Sequence, residues 1–471
     1  MLNDADSTFA ERLSSLLPAL SVRPAAPSYL EEPRGLFHSR PSFVARPSTT
    51  EEVAAVVKAC ADAGVGIVPY GGGTGLVSGQ ISTSGPVPLI LSLERMAAIR
   101  EVFPAEDVLV AEAGATVAQV QAAAEKTGRL FPLSYASQDS ARIGGALAVN
   151  SGGLNVLRYG MARDLCLGIE AVLPDGQIFR GLKRLKKDNT GYDLRHLLIG
   201  SEGTLGIITA AALSLSPRPA HLATAFLAVP GPSEALELLS LFRDHAGESI
   251  SAFEIMSREG FEFLAEAGMN ARHPLDDVPD WSVLAEIGTG PGVDPEAILL
   301  TIFETAMDRG LVLDGAIAQS GQQRSDFWSL RETIPVANRR VGAIASHDIS
   351  LPLSELPGFL SEAGEAVRAL APVRINTFGH LGDGNLHYNM FPPAGKSRAD
   401  YNDRASGISR LVHDMVVARG GSFSAEHGLG RLKVAALERY ADPAKLSAMR
   451  AIKAALDPKG IMNPGAVLAT H

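Results

Sequence analysis

The chain has 471 residues, of which 46% are hydrophobic and 20% charged, and its formal net charge is -10. This length and composition predict two or three globular domains and exclude a disordered or fibrous chain. The acidic balance argues against nucleic acid or an anionic lipid surface as the main partner. Cys60 and Cys166 are the only cysteines, so we expect no disulfide framework, no thiolate zinc cluster and a reducing compartment.

The N-terminal residues carry no recognisable targeting signal. Residues 1–20 are acidic and helical in pattern, and they lack the basic region and the apolar core of a signal peptide. No later stretch is apolar over the length that a bilayer requires. The sequence therefore predicts a cytoplasmic protein without a transmembrane segment, which is compatible with peripheral association with the inner membrane.

The first part of the chain alternates amphipathic helices with short β-branched runs. Ser48 and Glu51 predict a capping box, and Gly64 ends the helix that follows. The apolar face of this helix is formed by Val53, Val56, Val57 and Cys60. The runs GIVPY, PLILSL and VLVAEAGA are typical of strands, after which Thr116 and Gln119 begin another helix.

The organisation changes near residue 216, where the glycine density falls and longer helical patterns begin. Residues 1–34 are predicted to be an N-terminal helical segment, residues 35–215 a first domain and residues 216–455 a second. The turn-rich tail, residues 456–471, is predicted to return to the first domain. Both domains have an α+β pattern.

Three glycine-rich segments of the first domain share one explanation. Residues 71–75, GGGTG, offer consecutive unobstructed backbone N–H groups, which is the chemistry of a phosphate cradle. The spacing fits neither a Rossmann fingerprint nor a P-loop. The second segment is SARIGGALAVNSGGLNVLRYG and the third is GSEGTLGIIT. Each alone is typical of tight turns, whereas the three together favour an extended dinucleotide.

The sequence GHLGDGNLHYN and the later AEHGLG predict a metal site. His380 and His387 offer neutral imidazoles, and Glu426 offers an anionic oxygen. Three protein ligands leave a coordination position for water or substrate, as catalytic rather than structural zinc requires. If NLHYN is extended, His387 and Asn389 lie on one face, and the glycine turn around Asp383 brings His380 back towards them. Zinc, manganese and iron all accept this donor set.

These motifs, with PYGGGTGL, KDNTGYDL and the terminal NPG, resemble in their order the FAD-linked D-2-hydroxy-acid dehydrogenases of the vanillyl-alcohol-oxidase type. The resemblance spans residues 35–467 and is nearest to the D-2-hydroxyglutarate dehydrogenases, with the FAD-linked D-lactate dehydrogenases next. It implies an α+β fold with a two-part FAD-binding domain of the PCMH type and an α+β substrate or cap domain.

The resemblance also implies the FAD contacts. Some relatives attach FAD covalently through a His or Cys near the first glycine loop; PYGGGTGLVSGQ contains neither, so non-covalent FAD is expected. The pyrophosphate is expected on residues 71–75 and the flavin ring near the second and third glycine segments. The implied FAD-binding residues are Pro69, Gly71, Gly72, Gly73, Thr74, Gly75, Ser140, Gly144, Gly145, Asn150, Gly153, Ile207 and Asn463.

The chemistry that the resemblance implies is metal-assisted oxidation of a D-2-hydroxy acid. A divalent metal, zinc in the first place, is expected on His380, His387 and Glu426, where it would lower the pKa of the substrate hydroxyl. His427 is then the general base while a hydride passes to FAD. Asn389 is expected to orient the substrate carboxylate, and Arg331 to bind a carboxylate through paired hydrogen bonds.

The chain departs from the D-2-hydroxyglutarate pattern at the distal carboxylate. Ser346 stands where close relatives have a lysine, Pro335 replaces a threonine, and His347 is a candidate substitute. Losing a cation weakens selection for a second carboxylate. D-2-Hydroxyglutarate is the first expected substrate, with D-lactate, D-malate and longer apolar D-2-hydroxy acids as alternatives.

Three other classes stay open at this point. A nicotinamide-dependent dehydrogenase is opposed by the glycine spacing, a zinc hydrolase leaves the glycine segments unexplained, and a flavin-binding protein without catalysis leaves the metal and base residues unused. For a dehydrogenase, the expected electron acceptors are an electron-transfer flavoprotein, a quinone or a cytochrome. A homodimer is compatible with the chain.

Overall fold

A computed structural model of the chain describes residues 2–35, 37–269 and 272–470. The chain forms two compact units. Unit 1 comprises Met1–Gly153, Gly160–Arg218 and Glu426–His471, and unit 2 comprises Leu154–Tyr159 and Pro219–Ala425. The change of organisation near residue 216 therefore falls where the chain enters unit 2. The return to unit 1 begins at Glu426, earlier than residue 456, because the amphipathic helices between these positions carry no sequence mark of the core that they join.

Unit 1 contains short strands and helices. In chain order these are α1 (Ser7–Leu16), β1 (Ser21–Pro24), β2 (Phe43–Arg46), α2 (Thr50–Ala63), β3 (Ile67–Tyr70), β4 (Leu89–Ser92), β5 (Ile99–Phe103), β6 (Val108–Glu112), α3 (Val117–Glu125), β7 (Arg129–Leu130) and α4 (Ile143–Val149). After α5 (Val156–Tyr159), which belongs to unit 2, it continues with β8 (Cys166–Val172), β9 (Ile178–Gly181), α6 (Leu194–Leu198), β10 (Ile207–Ser214) and β11 (Ser216–Pro217).

The strands of unit 1 form a four-stranded sheet in the order β1-β2-β4-β3, a five-stranded sheet in the order β5-β6-β10-β8-β9, and the pair β11-β7. Strand β4 is parallel to both β2 and β3. The tail adds to this unit, because the Ile67 N–H donates to the Ile461 carbonyl and the Asn463 N–H donates to the Ile67 carbonyl. The C-terminal residues thus extend the edge next to β3.

Helix α2 confirms one part of its predicted pattern and corrects another. Its four predicted apolar residues are buried, and Gly64 ends it in the left-handed conformation. The predicted cap is wrong by one residue: Thr49 accepts from the Glu52 N–H, and the Glu52 carboxylate accepts from the Ser48 N–H at 2.7 Å. The run STTEE offers overlapping caps, and the structure uses the pair that places the helix start at residue 50. The predicted start of α3 at Thr116 and Gln119 is confirmed, and these two residues form a capping box.

Unit 2 is built on one antiparallel sheet. Its elements are β12 (His221–Val229), α7 (Pro232–Ala246), β13 (Ile250–Ser257), α8 (Arg258–Glu266), β14 (Trp281–Thr289), α9 (Pro295–Asp308), β15 (Asp314–Ile317), α10 (Gly321–Val341), β16 (Ala345–Ser350), α11 (Leu356–Leu370), β17 (Arg374–His380), β18 (Asn385–Phe391) and α12 (Ala405–Ala418). The strand order is β15-β12-β14-β13-β17-β18-β16. The chain then re-enters unit 1, where α13 (Val434–Tyr440) and α14 (Pro443–Leu456) follow.

The two faces of the seven-stranded sheet pack against different helices. On one face Met256, Phe378 and Phe391 share a core with residues of α8 and α10, and we call this the α10 face. On the other face Ile349 and Tyr388 share a core with residues of α7, α9, α11 and α12. Because side chains alternate along a strand, this division fixes the face of every polar residue between them.

Candidate functional site

The first glycine segment lies directly after β3. Within the part of the chain that the structure describes, the backbone N–H groups of residues 71–76 donate to no protein acceptor. These residues are only partly exposed. A run of unpaired, half-buried donors without side-chain obstruction is what an anionic phosphate requires. The segment therefore fits the pyrophosphate of a dinucleotide.

The three glycine segments meet within unit 1. A Cβ atom built on Gly71 would lie 3.5 Å from the Cα of Gly145. A Cβ atom on Gly203 would lie 2.7 Å from the Cγ of Pro69. The first segment therefore packs on the backbone of the second, and the third packs on the ring of Pro69, two residues before the first. A single extended ligand can reach all three.

Two adjacent glycines of α4 separate packing from ligand contact. A Cβ on Gly144 would lie 2.7 Å from the Cβ of Ala113, whereas a Cβ on Gly145 meets nothing nearer than 4.0 Å. We expect Gly144→Ala to lower stability by about 1–3 kcal/mol through overpacking. Gly145→Ala should retain or raise the melting temperature, because alanine favours a helix. The same change should weaken FAD binding. Thermal melts with and without added FAD check this. Equal melting temperatures for both variants would contradict it.

The other predicted FAD residues occupy several kinds of backbone position. Asn150 caps α4 in the left-handed conformation, and its Oδ1 accepts from the Arg163 N–H at 2.9 Å, so its side chain already has a structural partner. Ile207 begins β10 and is buried. The loop positions are Gly72, Gly73, Thr74, Gly75, Ser140 and Gly153.

A buried carboxylate that the sequence analysis did not single out joins the third glycine segment to EHGLG. Glu202 has a positive φ of 52°, and its two carboxylate oxygens accept from the N–H groups of Leu429 at 2.7 Å and Gly430 at 2.8 Å. Burial raises the pKa of Glu202, and the two N–H groups oppose that rise. An acidic residue within the glycine-rich run GSEG is the sequence feature that could have marked Glu202.

Arg431 connects the same loop to Gly79, four residues after the first glycine segment, and to NPG. Its guanidinium donates to the carbonyl of Gly79 at 2.8 Å and to Oδ1 of Asn463 at 2.9 Å. The Nδ2 group of Asn463 donates to the carbonyl of Glu202 at 2.8 Å. Burial lowers the pKa of Arg431 to about 10. The loop that carries His427 is therefore held by the same residues that hold the glycine segments.

Glu426 and His427 lie side by side at the start of this loop. Nε2 of His427 is 3.8 Å from Oε1 of Glu426, and both side chains are partly buried. Residues 425–427 form a bend, which brings the two side chains close together. A carboxylate beside an imidazole can bind a cation or support a general base.

In unit 2, the hairpin of β17 and β18 carries the two predicted imidazole ligands. The prediction that NLHYN is extended is confirmed, and a 3-10 turn, Leu381–Asp383, joins the strands. The rings of His380 and His387 are 5.8 Å apart between centroids. His380 is opposite Asn385 in register, and His387 is opposite Phe378. The hairpin thus brings both imidazoles to the α10 face.

Asp348 is a third candidate ligand that the sequence analysis missed. It faces His387 across the β16–β18 pair, is 3% exposed, and accepts from Nδ2 of Asn385 at 2.9 Å. Its carboxylate and a ring nitrogen of His387 lie within 4.8 Å. The N–H of Ala425 donates to the Asp348 carbonyl at 3.2 Å. Ala425 is the residue directly before Glu426. An imidazole and a carboxylate at this separation are donors that a divalent transition metal accepts.

Arg331 is buried on α10 and already has an acidic partner. Its Nε and Nη2 both lie 2.7 Å from Oε2 of Glu254 on β13, and the other oxygen, Oε1, is 2.5 Å from Nδ1 of His380. Burial alone would raise the pKa of Glu254, but its close contacts with His380 and Arg331 hold that pKa well below its usual range. One edge of the guanidinium is therefore occupied, and the Nη1 end remains for an anionic ligand.

The remaining predicted substrate residues lie on different faces of the sheet. Asn389 is buried on the α10 face, where its Oδ1 accepts from the His347 N–H at 3.1 Å. Ser346 is exposed on β16. The His347 ring lies on the opposite face, 5.4 Å from the ring of His413 on α12, with Nδ1 2.8 Å from the Tyr388 carbonyl. Strand alternation thus separates His347 from the other candidates.

Comparison with known proteins identifies the class. Residues 218–467 match the family described as FAD linked oxidases, C-terminal domain, and residues 41–181 match the family described as FAD binding domain. The chain belongs to the FAD-linked oxidases and is an FAD-dependent oxidoreductase.

Individual relatives define the position within that class. The chain is 39% identical over 428 residues to the mitochondrial D-2-hydroxyglutarate dehydrogenase of Bos taurus, covering 90% of this chain and 76% of the relative. It is 35% identical over 432 residues to the D-2-hydroxyglutarate dehydrogenase of Xanthomonas citri pv. viticola, covering 92% of this chain and 90% of the relative. The predicted resemblance is therefore confirmed.

Solved structures confirm the predicted fold. p-Cresol methylhydroxylase superposes with a TM-score of 0.75 at 17% identity, covering 98% of this chain and 96% of its own. Alkyldihydroxyacetonephosphate synthase has a TM-score of 0.72 at 17% identity, covering 98% and 85%. Across the described ranges no helix has the length and apolar character needed to cross a bilayer.

Proposed function

We propose that this chain oxidises D-2-hydroxyglutarate to 2-oxoglutarate with FAD as the hydride acceptor. The observation that carries the proposal is the α10 face, where His380, His387 and Asp348 lie on the same side of one sheet as the buried cation Arg331. Such a substrate needs a Lewis-acidic metal for its hydroxyl group and a cationic side chain for a carboxylate. Relatives of this chain at 35–39% identity are named D-2-hydroxyglutarate dehydrogenases.

We further propose that His380, His387 and Glu426 hold a divalent metal, zinc in the first place and manganese or iron otherwise. The support is the donor chemistry: His380 has a carboxylate at Nδ1, and Asp348 lies beside His387. When bound, such a metal lowers the pKa of a coordinated hydroxyl group, and FAD accepts the hydride.

The protein side chains then divide the remaining work. His427 accepts the hydroxyl proton at its imidazole, beside the carboxylate of Glu426 at 3.8 Å. The Nη1 end of Arg331 binds a substrate carboxylate, because its other edge is held by Glu254. Asn389 donates from Nδ2, since its Oδ1 already accepts from the backbone of β16. Electrons finally pass to an electron-transfer flavoprotein, a quinone or a cytochrome.

D-Lactate is the second candidate substrate, and one observation favours it. Ser346 provides no cation, and His347 lies on the opposite face of the sheet from Asn389 and His387. A distal carboxylate is therefore stabilised less by Ser346 than it would be by a lysine at the same position. Selection between a diacid and a monoacid then depends on Arg331.

An anaerobic titration of the purified chain tests the function. D-2-Hydroxyglutarate, D-lactate, D-malate and L-2-hydroxyglutarate are each mixed with the FAD-loaded protein, and bleaching of the flavin absorbance is followed, with and without prior chelation. We expect the first compound to bleach fastest, its enantiomer to be inert, and chelation to stop the reaction. Fastest bleaching by D-lactate would select the second candidate. No bleaching by any D-2-hydroxy acid would overturn the function.

A further inference from the structure

We infer that Glu254 is a positioning residue that determines which nitrogen of His380 binds the metal and how Arg331 is presented to substrate. This inference rests on the proposed metal site. Glu254 lies on β13 directly opposite His380 of β17, and its side chain is fully buried. No motif in the sequence marks it.

The two oxygens of Glu254 have different partners. Oε1 lies 2.5 Å from Nδ1 of His380, and Oε2 accepts from Nε and Nη2 of Arg331. A carboxylate accepts hydrogen bonds and does not donate them, so Nδ1 of His380 carries the proton. The lone pair of the neutral ring is then at Nε2, which becomes the ligand atom. A carboxylate behind a ligating histidine orients the ring and raises its basicity.

The same carboxylate fixes the guanidinium of Arg331. The guanidinium carbon lies 4.9 Å from the centre of the Phe378 ring, and Phe378 is two residues before His380 on β17. Because Nε and Nη2 are held on one side, the plane of the guanidinium has little freedom, and Nη1 points away from Glu254. One buried side chain thus sets the geometry of a proposed metal ligand and of a proposed substrate ligand.

A purely structural ion pair is the competing explanation, and the same sheet contains a matched example. Glu286 on the neighbouring strand β14 is 6% exposed. Its carboxylate accepts from Arg324 at 2.6 Å, Trp328 at 2.9 Å and Thr224 at 2.8 Å. It therefore pairs with an α10 arginine as Glu254 does, and among the described residues its hydrogen-bond donors are Arg324, Trp328 and Thr224, none of which is an imidazole. Changing either glutamate should destabilise the sheet, but only the change at Glu254 should weaken metal binding.

The experiment compares Glu254→Gln with Glu286→Gln in the full-length FAD-loaded chain. After chelator treatment, Zn²⁺ affinity is measured by competition with a chromogenic chelator, and Co²⁺ absorption spectra and melting temperatures are recorded. We expect Zn²⁺ binding to Glu254→Gln to be about 10–100-fold weaker, as for other carboxylates behind a ligating histidine, with a changed Co²⁺ spectrum. Glu286→Gln should lower the melting temperature and keep wild-type Zn²⁺ affinity.

Glu254→Gln leaves the buried guanidinium of Arg331 without its carboxylate partner, and a double variant controls for this. If Glu254→Gln does not fold, Glu254→Gln with Arg331→Met removes both charges and should show the same weak Zn²⁺ binding. Wild-type Zn²⁺ affinity in the Glu254 variants would overturn the inference and leave the metal site standing. Equal weakening in Glu286→Gln would also overturn it. A wild-type chain that binds no divalent metal would overturn the proposed metal site together with the inference.

Discussion

Replacing His427 by alanine is expected to leave FAD bound while slowing flavin reduction by about 10²–10⁴-fold, the usual contribution of a general base. The FAD contacts should survive because the loop is held by residues that follow His427 in the chain. Glu202 accepts from the N–H groups of Leu429 and Gly430, and Arg431 donates to the carbonyl of Gly79. None of these hydrogen bonds uses the His427 side chain.

The measurement is the anaerobic rate of flavin bleaching at saturating D-2-hydroxyglutarate, compared between the wild-type and variant proteins. Added imidazole should restore part of the rate of His427→Ala if the missing group is a proton acceptor. His221→Ala, a change of an exposed histidine on β12, is the control and should keep the wild-type rate. A His427→Ala protein with the wild-type bleaching rate would remove His427 from the mechanism.

Local sequence patterns predicted the parts of the site that lie close together in the chain. The predicted return of His380 towards His387 is confirmed, because a glycine turn and the two-residue period of a strand fix their face; their role as metal ligands stays a prediction. The first glycine segment was recognisable because consecutive glycines after a strand leave backbone donors open. In each case the geometry is decided within about ten residues, so the pattern carries it.

Contacts between distant segments decided the rest, and no local pattern reports them. Glu254 contacts a histidine 126 residues later in the chain, and Glu202 accepts from backbone groups more than 220 residues later. Asp348 becomes a candidate ligand only because the register of β16 against β18 places it opposite His387. His347 failed as a lysine substitute for the same kind of reason, since one step along a strand moves a side chain to the other face.

Replacing His387 by alanine should remove the divalent metal and, with it, flavin reduction. His387 lies beside Asp348 and its ring is 5.8 Å from that of His380, so its loss would leave the remaining hairpin ligand without a partner imidazole. Losing a carboxylate behind a ligand already costs about 10–100-fold in metal affinity, and losing the ligand itself should cost more. Metal content after dialysis and Zn²⁺ competition measure this directly.

His347→Gln is the matched control, because it changes a buried histidine on the adjacent strand that lies on the other face of the same sheet. It should lower stability and keep the metal, whereas His387→Ala should lose the metal with a smaller change in melting temperature, since His387 is only partly buried. Full metal content in His387→Ala would exclude it as a ligand. Metal loss in His347→Gln would show that the two faces of the sheet are not independent, and that distortion of the sheet is sufficient to empty the site.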